Sequence, residues 1–145
     1  MHYAAHIYRE GKHWLAEFPD APGCQTFADS ADELRGAAKE ALEGWLEAHL
    51  VGGEAPPKPR VRHRAPAGRK LLRVSVEPQL ATAVHLRWAR QDVGLTQSQL
   101  AKLVGVSQQQ IAKLENPDEN PTLRTVVKVF DALGLELEIT VQPAA

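Results

Sequence analysis

The stretch LTQSQLAKLVGVSQQQIAKLEN, Leu95–Asn116, decides the fold of the second half of the chain. It holds two capping boxes eleven residues apart, Thr96 with Gln99 and Ser107 with Gln110. In such a box the hydroxyl accepts from the backbone N–H three residues on, and the glutamine reaches back to the cap's own N–H. Two short helices are therefore predicted. Gly105 stands between them, where a tight turn needs positive φ. Leu100, Leu103, Val106, Ile111 and Leu114 are spaced to bury a shared core, and Ala101 is small enough for the helices to approach closely. In physical terms this is a helix-turn-helix.

The outward face of the second helix carries Gln108, Gln109 and Gln110 in its first turn and Lys113 one turn later. In helix-turn-helix proteins these N-terminal positions reach base edges in the major groove. Glutamine bonds adenine there in a bidentate manner, at roughly 1–3 kcal/mol of discrimination per good pair. The expected DNA-contact set is Gln97, Ser107, Gln108, Gln109, Gln110, Lys113 and Arg124. Within it, Gln97 is placed either to bond a phosphate or to brace a neighbouring glutamine, and Gln110 either reads bases or caps its helix. The pattern T-Q-x-x-L-A-x-x-x-G-V-S-x-x-x-I-x-x-L-E resembles the Cro/C1 repressor family. The flanking helices extend that resemblance to residues 80–133.

On the N-terminal side, Pro78 suits a first helical position, Leu80, Val84, Leu86, Trp88 and Val93 follow in one helix, and Gly94 closes it. On the C-terminal side, Asn116–Pro121 is a loop. Thr122 caps a helix with Leu123, Val126, Val127, Phe130 and Leu133 on its apolar face, and Gly134 ends it. Arg124 and Lys128 suit phosphate contacts or a solvated surface equally. Beyond lies strict alternation: Leu135, Leu137, Ile139 and Val141 face one way, Glu136, Glu138 and Thr140 the other. A lone strand leaves its N–H and C=O ladder unpaired. The same strand of a second subunit is the expected partner, giving a homodimer or a higher homo-oligomer with Leu135, Leu137, Ile139 and Val141 at its seam. Pairing with Leu72–Val76 of the same chain is the alternative.

The first half reads differently. Tyr3–Tyr8, Trp14–Phe18 and Cys24–Phe27 are short apolar stretches separated by Gly11-Lys12 and by the turn-rich Pro19–Gly23. Ser30 and Glu33 then cap a helix whose Leu34, Ala37, Ala38, Ala41, Leu42, Trp45, Leu46 and Leu50 recur at helical spacing. Gly52-Gly53 ends it. Residues 53–68, rich in Pro, Gly and Arg, read as a solvated connection, and Leu71–Val76 as a last strand. The predicted fold class is thus α+β: a βββαβ domain over 1–76, with 52–69 as connection, joined to an all-α helix-turn-helix domain over 77–145 with a C-terminal strand.

The 145 residues carry a formal net charge of −1, distributed unevenly. Residues 1–59 hold five Lys/Arg against ten Asp/Glu, and residues 60–145 hold twelve against eight. An acidic half suits a basic protein and a basic half suits nucleic acid, although two solvated surfaces would look the same. No apolar run approaches the roughly 20 residues of a membrane span. No secretory signal is visible at the start of the sequence, and a single cysteine, Cys24, fits a reducing cytoplasm. Asp20, Asp29, Asp32 and Glu33 fall in a turn and at a helix cap, not in the converging set that metal-dependent hydrolysis needs. The six histidines are scattered and no phosphate-binding glycine loop is present, so no catalytic residue, metal or cofactor is expected.

The run FPDAPGC at Phe18–Cys24, the capped alanine-rich helix after Ser30 and the tail GEAPPKP at Gly53–Pro59 resemble the HicB family over residues 3–76. That resemblance implies a truncated RNase H-like fold. It also implies an antitoxin that blocks HicA, a small basic mRNA-cleaving toxin, and, with a DNA-binding domain attached, represses its own operon at double-stranded operator DNA. The residues that would meet the toxin are not legible. A stand-alone repressor whose N-terminal domain senses a ligand or assembles oligomers is the competing expectation.

Overall fold

Period-two alternation and the turn chemistry of the first thirty residues produce three strands, β1 (His2–Glu10), β2 (His13–Glu17) and β3 (Gln25–Ala28). The computed structural model describes residues 1–143. Gly11 takes φ of +60° in the tight β1–β2 turn, a conformation a side chain would resist. Helix α1 (Ala31–Val51) follows, with the Ser30 side chain accepting from the Glu33 N–H as its capping box predicts. β4 (Lys70–Ser75) returns to the sheet, whose order is β3-β2-β1-β4 with every neighbouring pair antiparallel. The βββαβ order is as expected.

One face of this sheet is buried under α1. Tyr3 and Ala5 of β1 stand opposite Val74 and Leu72 of β4, and Ala16 of β2 opposite Ile7. Leu34, Ala38, Leu42, Leu46 and Leu50, one stripe of α1, close over them. Cys24 packs in the same core, and burial pushes its thiol up to about 11, so it is inert at neutral pH.

Four helices complete the chain: α2 (Pro78–Asp92), α3 (Gln97–Val104), α4 (Gln108–Leu114) and α5 (Leu123–Ala132). A second core forms from Leu100, Ala101, Val104, Ile111, Leu114, Val126, Val129 and Phe130. Two residues expected in it are not: Leu103 and Leu123 are exposed, because Val104 and Val126 take the inward positions on their helices. Helix α2 belongs to both cores. Leu80, Ala81, Ala83, Val84 and Trp88 pack with the sheet and α1, while Leu86 and Ala89 pack with α3–α5.

The structure corrects two expectations. The first concerns residues 52–69, which lack regular structure and are mostly exposed as predicted, yet are also pinned to the rest of the chain as a strap. The Trp88 indole N–H donates to the Pro56 carbonyl at 2.6 Å and the Tyr3 hydroxyl to the Pro57 carbonyl at 2.8 Å. Lys58 pairs with Asp92 at 2.5 Å and Arg60 with Asp20 at 2.7 Å. Asp20 also accepts the Arg60 backbone N–H, and His63 Nε2 lies 2.8 Å from its second oxygen without the alignment of a hydrogen bond. Burial alone would raise the Asp20 carboxyl, but these donors and the His63 ring outweigh it and hold it below its ordinary value. Proline supplied the extended backbone that sequence reading took for solvation; the carbonyls it leaves free are what the strap uses to bind.

The second correction concerns the C-terminal strand. Residues 135–143 lie in no strand. Leu137 rests against the second core, whereas Leu135, Ile139 and Val141 are exposed. β4 pairs with β1 alone, so the alternative register along Leu72–Val76 is not formed either. The physical reason is that an alternating sequence becomes a strand only against an edge, and this segment meets none within the chain.

Candidate nucleic-acid interface

The two reading helices are held by their caps. The Gln99 N–H donates to Thr96 Oγ1 at 3.1 Å and the Thr96 N–H to Gln99 Oε1 at 2.9 Å. The same reciprocal pair joins Ser107 and Gln110, at 3.2 and 2.9 Å. Gly105 between them has φ of +81°, the left-handed turn the sequence required. Ser107 Oγ and Gln110 Oε1 thereby serve as cap and box, so the capping reading of Gln110 is formed. Gln108, Gln109 and Lys113 are exposed on the outer face of α4 and hold no side-chain hydrogen bond among the described residues. Their amide and ammonium donors face solvent in the first turn and a half of the helix, where a duplex would meet them.

Gln97 opens α3 but is turned inward. Its amide donates to Glu115 Oε2 at 2.6 Å. Glu115, only 2% exposed, ends α4 and accepts at Oε1 from Arg87 Nε and Arg90 Nε, each at 2.9 Å. Arg90 also donates to the Leu95 carbonyl at 2.7 Å, closing the α2–α3 turn. Arg87, itself 5% exposed, extends to the Glu54 and Leu50 carbonyls at 3.3 and 3.5 Å, on the strap and the last turn of α1. A carboxylate so buried persists only because both oxygens are filled by donors, two of them cationic. This cluster fixes the angle between α3 and α4. Sequence reading missed it, although a Glu and an Arg inside apolar runs, Leu114-Glu115 and Leu86-Arg87-Trp88, carry the signal of a buried pair.

Arg124 and Lys128 are exposed on α5, whose cap is Thr122, accepting from the Thr125 N–H at 3.3 Å. The residues expected at a dimer seam, Leu135, Leu137, Ile139 and Val141, lie apart from this surface, on the segment after α5. No cluster of three metal-ligating side chains is found among the described residues. No helix there is long and apolar enough to cross a membrane.

Comparison with known proteins agrees with both halves. The family model described as "HicB_like antitoxin of bacterial toxin-antitoxin system" matches residues 3–69, and one described as "Helix-turn-helix" matches residues 86–139. The chain is 29% identical over 129 residues to "Antitoxin HicB 1" of Photorhabdus laumondii, covering 89% of this chain and 79% of that one. It is 43% identical over 61 residues to "Antitoxin HipB" of Escherichia coli K12, covering 42% of this chain and 67% of that one. The first half of the chain thus carries a HicB-like antitoxin domain and the second half a helix-turn-helix domain. A solved structure titled "HicA3 and HicB3 toxin-antitoxin complex" contains a similar chain, 26% identical with a TM-score of 0.48, covering 54% of this chain and all of that one. In the HicB-like domain the FPDAPGC run forms the turn that presents Asp20 to the strap, and the alanine-rich helix is α1.

Proposed function

We propose that this chain is an antitoxin and autorepressor, non-enzymatic and working in the cytoplasm. Its N-terminal unit, residues 1–76, neutralises a HicA-like mRNA-cleaving toxin. Its second unit, residues 77–145, binds operator DNA as a dimer. The observation that carries the reading is the union in one chain of a HicB-like antitoxin unit and a capped helix-turn-helix.

In the DNA step, Gln108 and Gln109 meet base edges and Lys113 and Arg124 meet phosphates, while the free N–H groups at the α3 and α4 N-termini add backbone donors. Ser107 and Gln110 hold the recognition helix, and Gln97 braces it through Glu115. Dimerisation through Leu135–Val141 places two such helices on half-sites about 34–36 Å apart.

The test is co-expression with the adjacent reading frame. A neighbour that is toxic alone, co-purifies with this chain and is silenced by it upholds the antitoxin step. A chain that shifts its own promoter while no neighbour binds leaves a stand-alone repressor instead. For the DNA step, Gln108→Ala with Gln109→Ala is expected to erase the preference for promoter over scrambled duplex while leaving general DNA binding in place. An unchanged preference would remove these two residues from base reading.

A further inference from the structure

Most of the positive charge of this protein lies outside its reading helices. Residues 77–145 carry six Lys/Arg against eight Asp/Glu. Arg87 and Arg90 are spent on buried Glu115, and Glu77 and Asp92 are paired with Lys39 and Lys58, so that unit keeps four cations, Lys102, Lys113, Arg124 and Lys128, against five acids, Asp118, Glu119, Asp131, Glu136 and Glu138. A surface so nearly balanced has little net attraction for the phosphate backbone, the main source of non-specific DNA affinity. The excess lies just upstream. From Ala55 to Val76 there are seven Lys/Arg and no Asp/Glu.

Those seven divide by role. Lys58, Arg60 and Arg69 are paired to Asp92, Asp20 and Glu17, which pins the strap to α2 and to the sheet. Arg62, Arg64, Lys70 and Arg73 are exposed, and none has an acidic partner among the described residues. Arg73 touches only a neutral-range neighbour, His2 Nδ1, at 3.0 Å. The anchor Lys58–Asp92 sits on the last turn of α2, four residues before the Thr96 cap of α3. Arg62 and Arg64 ride on the strap, which is held to the helix that both cores share; Arg73 stands on the sheet face away from α1, whereas Lys70 alternates with Leu72 and Val74 toward the α1 side.

We infer that Arg62, Arg64 and Arg73 form a second nucleic-acid contact, a phosphate clamp on duplex flanking the bases read by α4. The inference rests on the DNA-binding reading proposed above. It assigns to the strap a role that a HicB-like unit without an attached DNA-binding unit would not need. Backbone contacts supply affinity and register without sequence information, so the clamp and the glutamines divide the work.

The experiment measures binding of the full chain to a duplex from upstream of its own reading frame and to a scrambled duplex, across a salt series. Replacing Arg62, Arg64 and Arg73 by Gln is expected to weaken both duplexes alike and to flatten the salt slope by about one per cation per bound chain. Arg62→Gln with Arg64→Gln, confined to the irregular strap, should produce about two thirds of that change without touching β4. Replacing the three arginines by Lys should keep the slope. A wild-type chain that binds neither duplex overturns the DNA reading itself. A wild-type chain that binds, with variants of unchanged slope, overturns the clamp alone. Unchanged slope together with loss of the co-purifying neighbour would assign the strap to protein recognition and equally overturn the clamp.

Discussion

The strap, residues 52–69, and the tail, residues 135–143, are both without regular structure, yet they differ in what their backbones meet. The strap's carbonyls accept from Tyr3, Arg87 and Trp88, and its cations find Asp20, Glu17 and Asp92 inside the chain. The tail's alternating leucine, isoleucine and valine meet little beyond the contact of Leu137. Irregular backbone is stable where its polar groups are answered. The strap is answered within the chain. In the proposed dimer the tail, which meets no sheet edge within the chain, pairs with the same segment of a second copy.

The largest effect should come from breaking the tail's complementarity. Leu137→Asp with Ile139→Asp is expected to give a monomer in sedimentation. Promoter affinity should then fall by about 10²–10⁴-fold, because two linked half-site contacts become one. A dimer that survives both changes would place the seam elsewhere.

The strap is tested next. Asp20→Ala removes the acceptor of two Arg60 hydrogen bonds and the partner of His63, whose side chain is 8% exposed. The expected loss is about 2 kcal/mol, seen as a drop of about 4–8 °C in melting temperature. Oligomeric state should be untouched, which separates the two segments. Trp88→Phe keeps most of the ring's packing and loses only the N–H to Pro56, at an expected cost of about 1 kcal/mol by the same melt.

The smallest effect is that of pH. Burial first, then Arg69, His63 and Arg60 with Glu17 opposing, hold His6 below its ordinary pKa, and its Nε2 is buried without a partner. The unfolded chain therefore takes up a proton at His6 before the folded one does. The stability contributed by neutral His6 is complete above about pH 6.5 and is lost as pH falls through the folded value. His2 and His85 are shifted in the same direction, chiefly by burial. A His6→Gln variant should lose less melting temperature than wild type between pH 7.5 and 5.5. Equal losses would remove His6 as the sensitive group.

What was legible in the sequence was local. Ser30 with Glu33, Thr96 with Gln99 and Ser107 with Gln110 are each a few residues long, and their bonds formed as their spacing predicts. What was not legible depends on partners far along the chain. Arg87 and Glu115 are separated by 28 positions, and Arg60 and Asp20 by 40. No periodicity announces such pairs, so neither the anchors of the strap nor the bond from Gln97 to Glu115 is legible in the sequence. Gln108 and Gln109 were readable because they follow a cap whose geometry points them outward.

Helix α2 has a consequence for any attempt to divide this protein. A fragment beginning at residue 77 would carry Leu80, Val84 and Trp88 into water without the sheet they cover. A fragment ending at residue 76 would leave the first core open where that helix had closed it. Opening either half therefore strips contacts from the other, so slow amide exchange should report one cooperative unit spanning β1 to α5. Protease cutting on either side of α2 should then disable both units together.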